Sequence, residues 1–118
     1  MPRIVHVSLA VEDLEKVRTF CEKVFGFTSL DQPKKNGFGM SDGAVHVAVN
    51  KCRTGEAPAV KHLGLEVEDV DGFVADIRKA GCEIFFGGTG NKHFRMPGAA
   101  GVEIEIIPVG AKPGISSR

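Results

Sequence analysis

The amino-acid sequence predicts an α+β fold built from two βαβββ modules, on three observations. The decapeptide VHVSLAVEDL at residues 5–14 returns as KHLGLEVEDV at residues 61–70. The offset between His6 and His62, 56 positions, is close to half of the 118-residue chain, as an internal duplication would produce. After each copy the chain shows one stretch of helical spacing, then three short extended stretches separated by turn residues.

Each copy alternates as a strand does. In the first, Val5, Val7, Leu9 and Val11 oppose His6, Ser8 and Ala10; in the second, Leu63, Leu65 and Val67 oppose His62, Gly64 and Glu66. One face is aliphatic and the other smaller and more polar, with one potential metal ligand per copy. An acidic pair follows each strand, Glu12-Asp13 and Glu68-Asp69. Asp13 and Asp69 are read as helix N-caps, because a short carboxylate accepts the free N–H groups of a first turn. Leu14, Val17, Cys21, Val24 and Phe25 then form an apolar helical stripe ended by Gly26, and Val70, Phe73, Val74, Ile77 and Ala80 form a second ended by Gly81.

The remaining strands are expected near Thr28–Gln32, Gly37–Met40 and Ala44–Asn50 in the first half, and near Glu83–Phe86, Lys92–Arg95 and Val102–Ile107 in the second. The polar stretch Lys51–Pro58, with Gly55 and Pro58, reads as the linker between a module over residues 1–55 and a module over 56–118 within one structural domain. Residues 110–118 read as a loose tail.

Bulk properties narrow the function classes. Neither half, at about 55 residues, would be comfortable alone, so the halves are expected to pack together. Lys plus Arg equals Asp plus Glu at 15 each, so no net field favours nucleic acid or an anionic membrane. No apolar run approaches the ~20 residues of a membrane span, and the N-terminus lacks a signal-peptide pattern, so a cytoplasmic location is expected. Three cysteines without CxxC spacing argue against a disulfide framework. Trp and Tyr are both absent, which argues against a dedicated macromolecular interface.

These residues resemble a known family. The opening xHxxLxVxDLxxxxxFCxxVFGF at Val5–Phe27, the restart KHLGLEVEDV and the closing PGAAGVEIEI at Pro97–Ile106 are similar to the vicinal oxygen chelate superfamily, which includes glyoxalase I, methylmalonyl-CoA epimerase, extradiol dioxygenases and fosfomycin- and bleomycin-resistance proteins. The resemblance implies curved mixed sheets enclosing a metal-binding groove, and ligands on the first and last strands of each module. Carried over by position, the ligands are His6, His46, His62 and Glu105, with Glu103 as the substitute one pleat away. A histidine at position 46 departs from the Glu or Gln that the glyoxalase and epimerase patterns place there. His93 lies off the pattern and is expected at the surface or a pocket rim.

Imidazoles with one carboxylate suit Zn, Ni, Co, Mn or Fe(II), so one divalent metal ion per site is the implied cofactor. The resemblance implies a glyoxalase I-like lyase or isomerase that moves a proton beside adjacent substrate oxygens, with Glu105 as the catalytic base and Glu103 or Glu66 as local alternatives. His6, His62 and Glu105 alone also resemble the facial triad of the extradiol Fe(II) dioxygenases, and a fosfomycin- or bleomycin-type resistance role is the other alternative. A homodimer with the site at or near the interface is implied, His6 and His46 coming from one subunit and His62 and Glu105 from the other if modules are exchanged. Phe38 and Met40 are candidates for an apolar wall near His46 or for core packing, Lys92 and Arg95 for a substrate anion or for solvent, and the Gly87–Asn91 loop for a turn or lid.

Overall fold

The computed structural model describes residues 1–30, 35–88 and 90–111. Its order is β1 (Arg3–Val11), α1 (Leu14–Phe20) running into a wider π-helical turn (Cys21–Phe25), β2 (Thr28–Ser29), β3 (Gly37–Ser41) and β4 (His46–Lys51), then β5 (Ala59–Val67), α2 (Val70–Lys79), β6 (Phe85–Phe86), β7 (Lys92–Arg95) and β8 (Glu103–Pro108). This is βαβββ twice, a glyoxalase-like α+β arrangement. The expected tail from residue 112 onward, the Asp31–Gln32 end of the second expected strand and the Pro33-Lys34 turn lie outside the described residues.

All eight strands join one mixed sheet in the order β2-β3-β4-β1-β5-β8-β7-β6. In each half the first strand lies parallel to the last, β1 beside β4 and β5 beside β8, as a crossover through a helix requires. The halves meet where β1 pairs antiparallel with β5. That seam brings the strands that carry His6 and His62 together at the centre of the sheet, inside a single chain.

The helices form where the spacing predicts. Asp13 Oδ1 accepts from Lys16 N at 3.0 Å and Asp69 Oδ1 from Gly72 N at 3.0 Å, so both aspartates are caps. Gly26 and Gly81 take φ of +74° and +90°, the left-handed conformation that ends a helix at little cost for glycine. Leu14, Val17 and Cys21 pack over Phe38, Met40 and Val49, while Val70, Phe73, Val74 and Ile77 pack with Val67, Phe94, Ile104 and Ile106. Each half therefore has its own small core between helix and sheet.

For two apolar pairs the structure decides between readings or departs from the expected stripe. Phe38 and Met40 face Val49 and Val47 across β3 and β4 and lie in the core under α1, on the opposite side of the sheet from His46, so they form no wall beside it. Val24 and Phe25 are 63% and 57% exposed. The π-helical turn at Cys21 adds residues per turn, which rotates both off the stripe that regular α-helical spacing would continue. Among the described residues no helix is long and apolar enough to cross a membrane.

Candidate metal centre

One row of side chains crosses the sheet. His46 pairs with His6 between β4 and β1, His6 with Gly64 between β1 and β5, Gly64 with Glu105 between β5 and β8, and Glu105 with His93 between β8 and β7. Residues opposite one another in neighbouring strands project from the same face, so this row puts three imidazoles and a carboxylate on one surface. His62 joins from the next row, opposite Ser8 and Glu103. This polar face is the better buried side of β1: His6, Ser8 and Ala10 are buried while Val5, Val7 and Leu9 are half-buried.

The row has room for these side chains because Gly64 supplies none. A Cβ built there would lie 2.7 Å from both His6 Cβ and Ile107 Cδ1. His6 Nε2 thereby comes to 4.0 Å from Glu105 Oε1, with His62 Nε2 3.6 Å from that oxygen and 3.0 Å from His6 Nε2. Donors bound to one ion at about 2.0–2.2 Å stand roughly 3.0–3.6 Å apart, so the three atoms need only small shifts to share a metal. The chemistry agrees: Glu105 is 0% exposed, and a buried carboxylate is costly unless a charge compensates it. Its second oxygen, Oε2, accepts from Asn91 Nδ2 at 2.9 Å, which orients the carboxylate. His6, His62 and Glu105 thus form a cluster that could hold a metal ion.

His46 reaches the same row from the other side of His6. Its Nδ1 lies 2.9 Å from His6 Nδ1, and the two rings stack at 5.1 Å with 26° between planes. An imidazole's two nitrogens diverge, so His6 directs Nε2 toward His62 and Glu105 and Nδ1 toward His46. All four sequence-derived positions stand on one face of one chain, and His46 meets His6 directly.

The alternative carboxylates lie elsewhere. Glu103 is 3.3 Å from Arg95 and 3.6 Å from His93 Nδ1, and Glu66 is 3.3 Å from Arg3. Arg95 also lies 4.7 Å from the Phe85 ring centre and Lys92 5.8 Å from that of Phe86, so neither is simply solvated. His93 corrects the expectation of a surface position: it is 4% exposed, edge-on to His62 and beside Glu105. A four-residue strand that begins at Lys92 and ends at Arg95 gives no periodicity from which that burial is readable. Asn91 and Gly64 were likewise absent from the expected site. Gly87 N donates to Asn91 O at 3.1 Å, and the Asn91 side chain reaches Glu105.

A cavity of about 640 Å³ opens at one end of this face. Ser8, Asn50, His62 and Glu103 line it from the sheet, and Lys51, Cys52, Arg53 and Glu56 line it from the end of β4 and the connection to β5. Glu56 is held below the ordinary carboxylate range, first by the Lys61 ammonium at 2.5 Å and then by the Arg53 backbone N–H at 2.8 Å.

The whole sheet corresponds to a known family. Residues 3–108 match the model of the glyoxalase/bleomycin resistance protein/dioxygenase superfamily. No curated protein matches the chain in sequence. Among solved structures, methylmalonyl-CoA epimerase from Mycobacterium tuberculosis is similar with a TM-score of 0.65 at 16% identity, over 98% of this chain and 91% of that one. A Streptomyces coelicolor methylmalonyl-CoA epimerase variant in complex with 2-nitronate-propionyl-CoA gives 0.62 at 23% identity, over 92% and 98%. A hypothetical protein from Bacillus halodurans gives 0.67 at 13%, over 95% and 97%. These likenesses are of fold, and with the match over residues 3–108 they identify the chain as a member of the glyoxalase/bleomycin resistance protein/dioxygenase superfamily.

Proposed function

We propose that this chain is a metal-dependent enzyme of the lyase or isomerase class that moves a proton on a small substrate with adjacent oxygens, as glyoxalase I and the epimerases do. The observation that carries the reading is the set of three buried donors, His6, His62 and Glu105, whose ligand atoms lie within 4.8 Å of one another. Similarity of fold to epimerases, including one in complex with methylmalonyl-CoA, supports the same direction.

A divalent ion, Zn, Ni, Co, Mn or Fe(II), would supply Lewis acidity toward the substrate oxygens. His6 and His62 would hold it through Nε2. His6 Nδ1 then carries the ring proton and donates to His46 Nδ1, so His46 fixes the tautomer and the ring angle of His6. Asn91 holds Glu105 Oε2, which leaves Oε1 as the atom that binds or accepts a proton. His6 and Glu105 are fully buried, so substrate arrives along His62, from the cavity. A cytoplasmic homodimer completes the proposal; the exposed Phe20, Val24 and Phe25 supply an apolar surface for it.

The test is exchange of the acidic C–H of 2-oxo, 2-hydroxy and acyl-CoA compounds into deuterium oxide, followed by NMR. Metal-dependent exchange that Glu105→Gln abolishes is expected. A second reading, an Fe(II) dioxygenase, is favoured by the two-histidine, one-carboxylate character of the same three residues. Oxygen uptake with a catechol after anaerobic Fe(II) loading, with no proton exchange, would replace the first reading by the second.

A further inference from the structure

We infer that the cavity beside His62 is a subsite for an anionic group, a carboxylate or phosphate, of a compact substrate, and that Arg53 and Lys51 hold it. The inference rests on the reading of His62 as the accessible edge of the metal centre.

Charge at the cavity is uneven although the chain as a whole carries none. Three cations line it, Lys51, Arg53 and Lys61, against two carboxylates, Glu56 and Glu103. Both carboxylates are already engaged. Glu56 binds Lys61 Nζ and the Arg53 backbone N–H, and Glu103 faces Arg95 and His93. Among the described residues, the side chains of Lys51 and Arg53 have no carboxylate within 4.0 Å. Two positive groups thus stand at the mouth of a cavity whose inner end is His62, Ser8 and Asn50.

The arrangement prescribes a compact ligand with polar groups at both ends. Two adjacent oxygens would lie at the His62 end, neutral hydrogen bonding is available in the middle from Ser8 and Asn50, and an acid group would lie at the mouth. A guanidinium suits such a group because its planar fork meets two oxygens at once. A volume of about 640 Å³ is that of a compact metabolite. Arg53 lies in the segment that joins β4 to β5, so the connection between the halves has a binding role in addition to a covering one.

The experiment is calorimetric titration of malonate and of inorganic phosphate at low ionic strength. The proteins are wild type, Arg53→Gln/Lys51→Gln, the control Lys79→Gln at the end of α2, and His62→Ala, with metal per chain measured for each. Saturable binding to wild type and to Lys79→Gln is expected, weakened about tenfold or more in the double variant at unchanged metal content. Tighter malonate assigns a carboxylate and tighter phosphate a phosphate ester. Equal binding by the double variant, or no saturable binding to wild type, overturns the inference. Anion binding lost in His62→Ala together with the metal, yet intact in the double variant, also overturns it by placing the anion on the ion. Phosphate binding by wild-type protein that neither carries nor takes up a metal would instead keep the subsite and sink the metal reading.

Discussion

His6 and His46 face each other through their Nδ1 atoms at 2.9 Å, while the other nitrogen of His6 faces His62 and Glu105. In the proposed centre His46 would act through His6. Removing the imidazole in His6→Ala or His62→Ala is expected to abolish stoichiometric metal. His46→Ala is expected to weaken affinity by only about 10–100-fold, the usual effect of losing a residue that orients a ligand. Equilibrium dialysis separates the cases, and a loss in His46→Ala equal to that in His6→Ala would make His46 a direct ligand.

Gly64 is the position where adding one methyl group should do most damage. Its missing Cβ leaves the space between His6 and Ile107, and Gly64→Ala would force contacts of 2.7 Å on both. Overpacking of this kind costs about 1–3 kcal/mol. Urea unfolding should show that loss, and metal content should fall because His6 is pushed out of line with Glu105. Full stability with full metal content would show that the row has slack.

Asn91 makes a separable prediction. It donates to Glu105 Oε2, so Asn91→Ala should cost about 1–3 kcal/mol of stability in metal-free protein by leaving a buried carboxylate oxygen without its donor, and metal affinity should drop about tenfold or more. Competition against a chromogenic chelator would read the change. Unaltered affinity would mean that Glu105 is oriented by its strand alone.

Cys52 reports on the cavity through its pH dependence. Burial first, then the Glu56 and Glu12 carboxylates, push its thiol above the ordinary cysteine range. The reactive thiolate is therefore scarce near neutrality and grows only as pH rises past that range. Iodoacetamide labelling, followed by peptide mass spectrometry, should be slower at Cys52 than for a free thiol at pH 8, and slower still with malonate bound. Rapid labelling unaffected by malonate would place Cys52 outside the ligand's reach.

Much of this was readable from alternation and turn chemistry. The repeat placed His6 and His62 on corresponding strands, parity put His46 and Glu105 on the same face as they are found, and Asp13, Asp69, Gly26 and Gly81 marked helix ends that the structure shows. Register across the seam was not readable, because nothing local says that Gly64 of β5 will stand between His6 and Glu105. His93 was misplaced for a related reason: its neighbours along the chain are charged, and its burial comes from Glu105 and His62 on other strands. Val24 and Phe25 followed a helical period that the π-turn breaks. Local pattern determines which face a residue takes, and pairing between distant strands determines what it meets there.

The measurement that tests the central claim most directly is metal per chain in protein purified without chelator, joined to X-ray absorption at the metal edge. The account predicts about one divalent ion per chain, with two imidazoles in its shell in wild type and in a metal-saturated His46→Ala sample alike, and none bound by His62→Ala. Protein that neither carries nor takes up a metal would contradict it and leave a binding protein on an enzyme's scaffold.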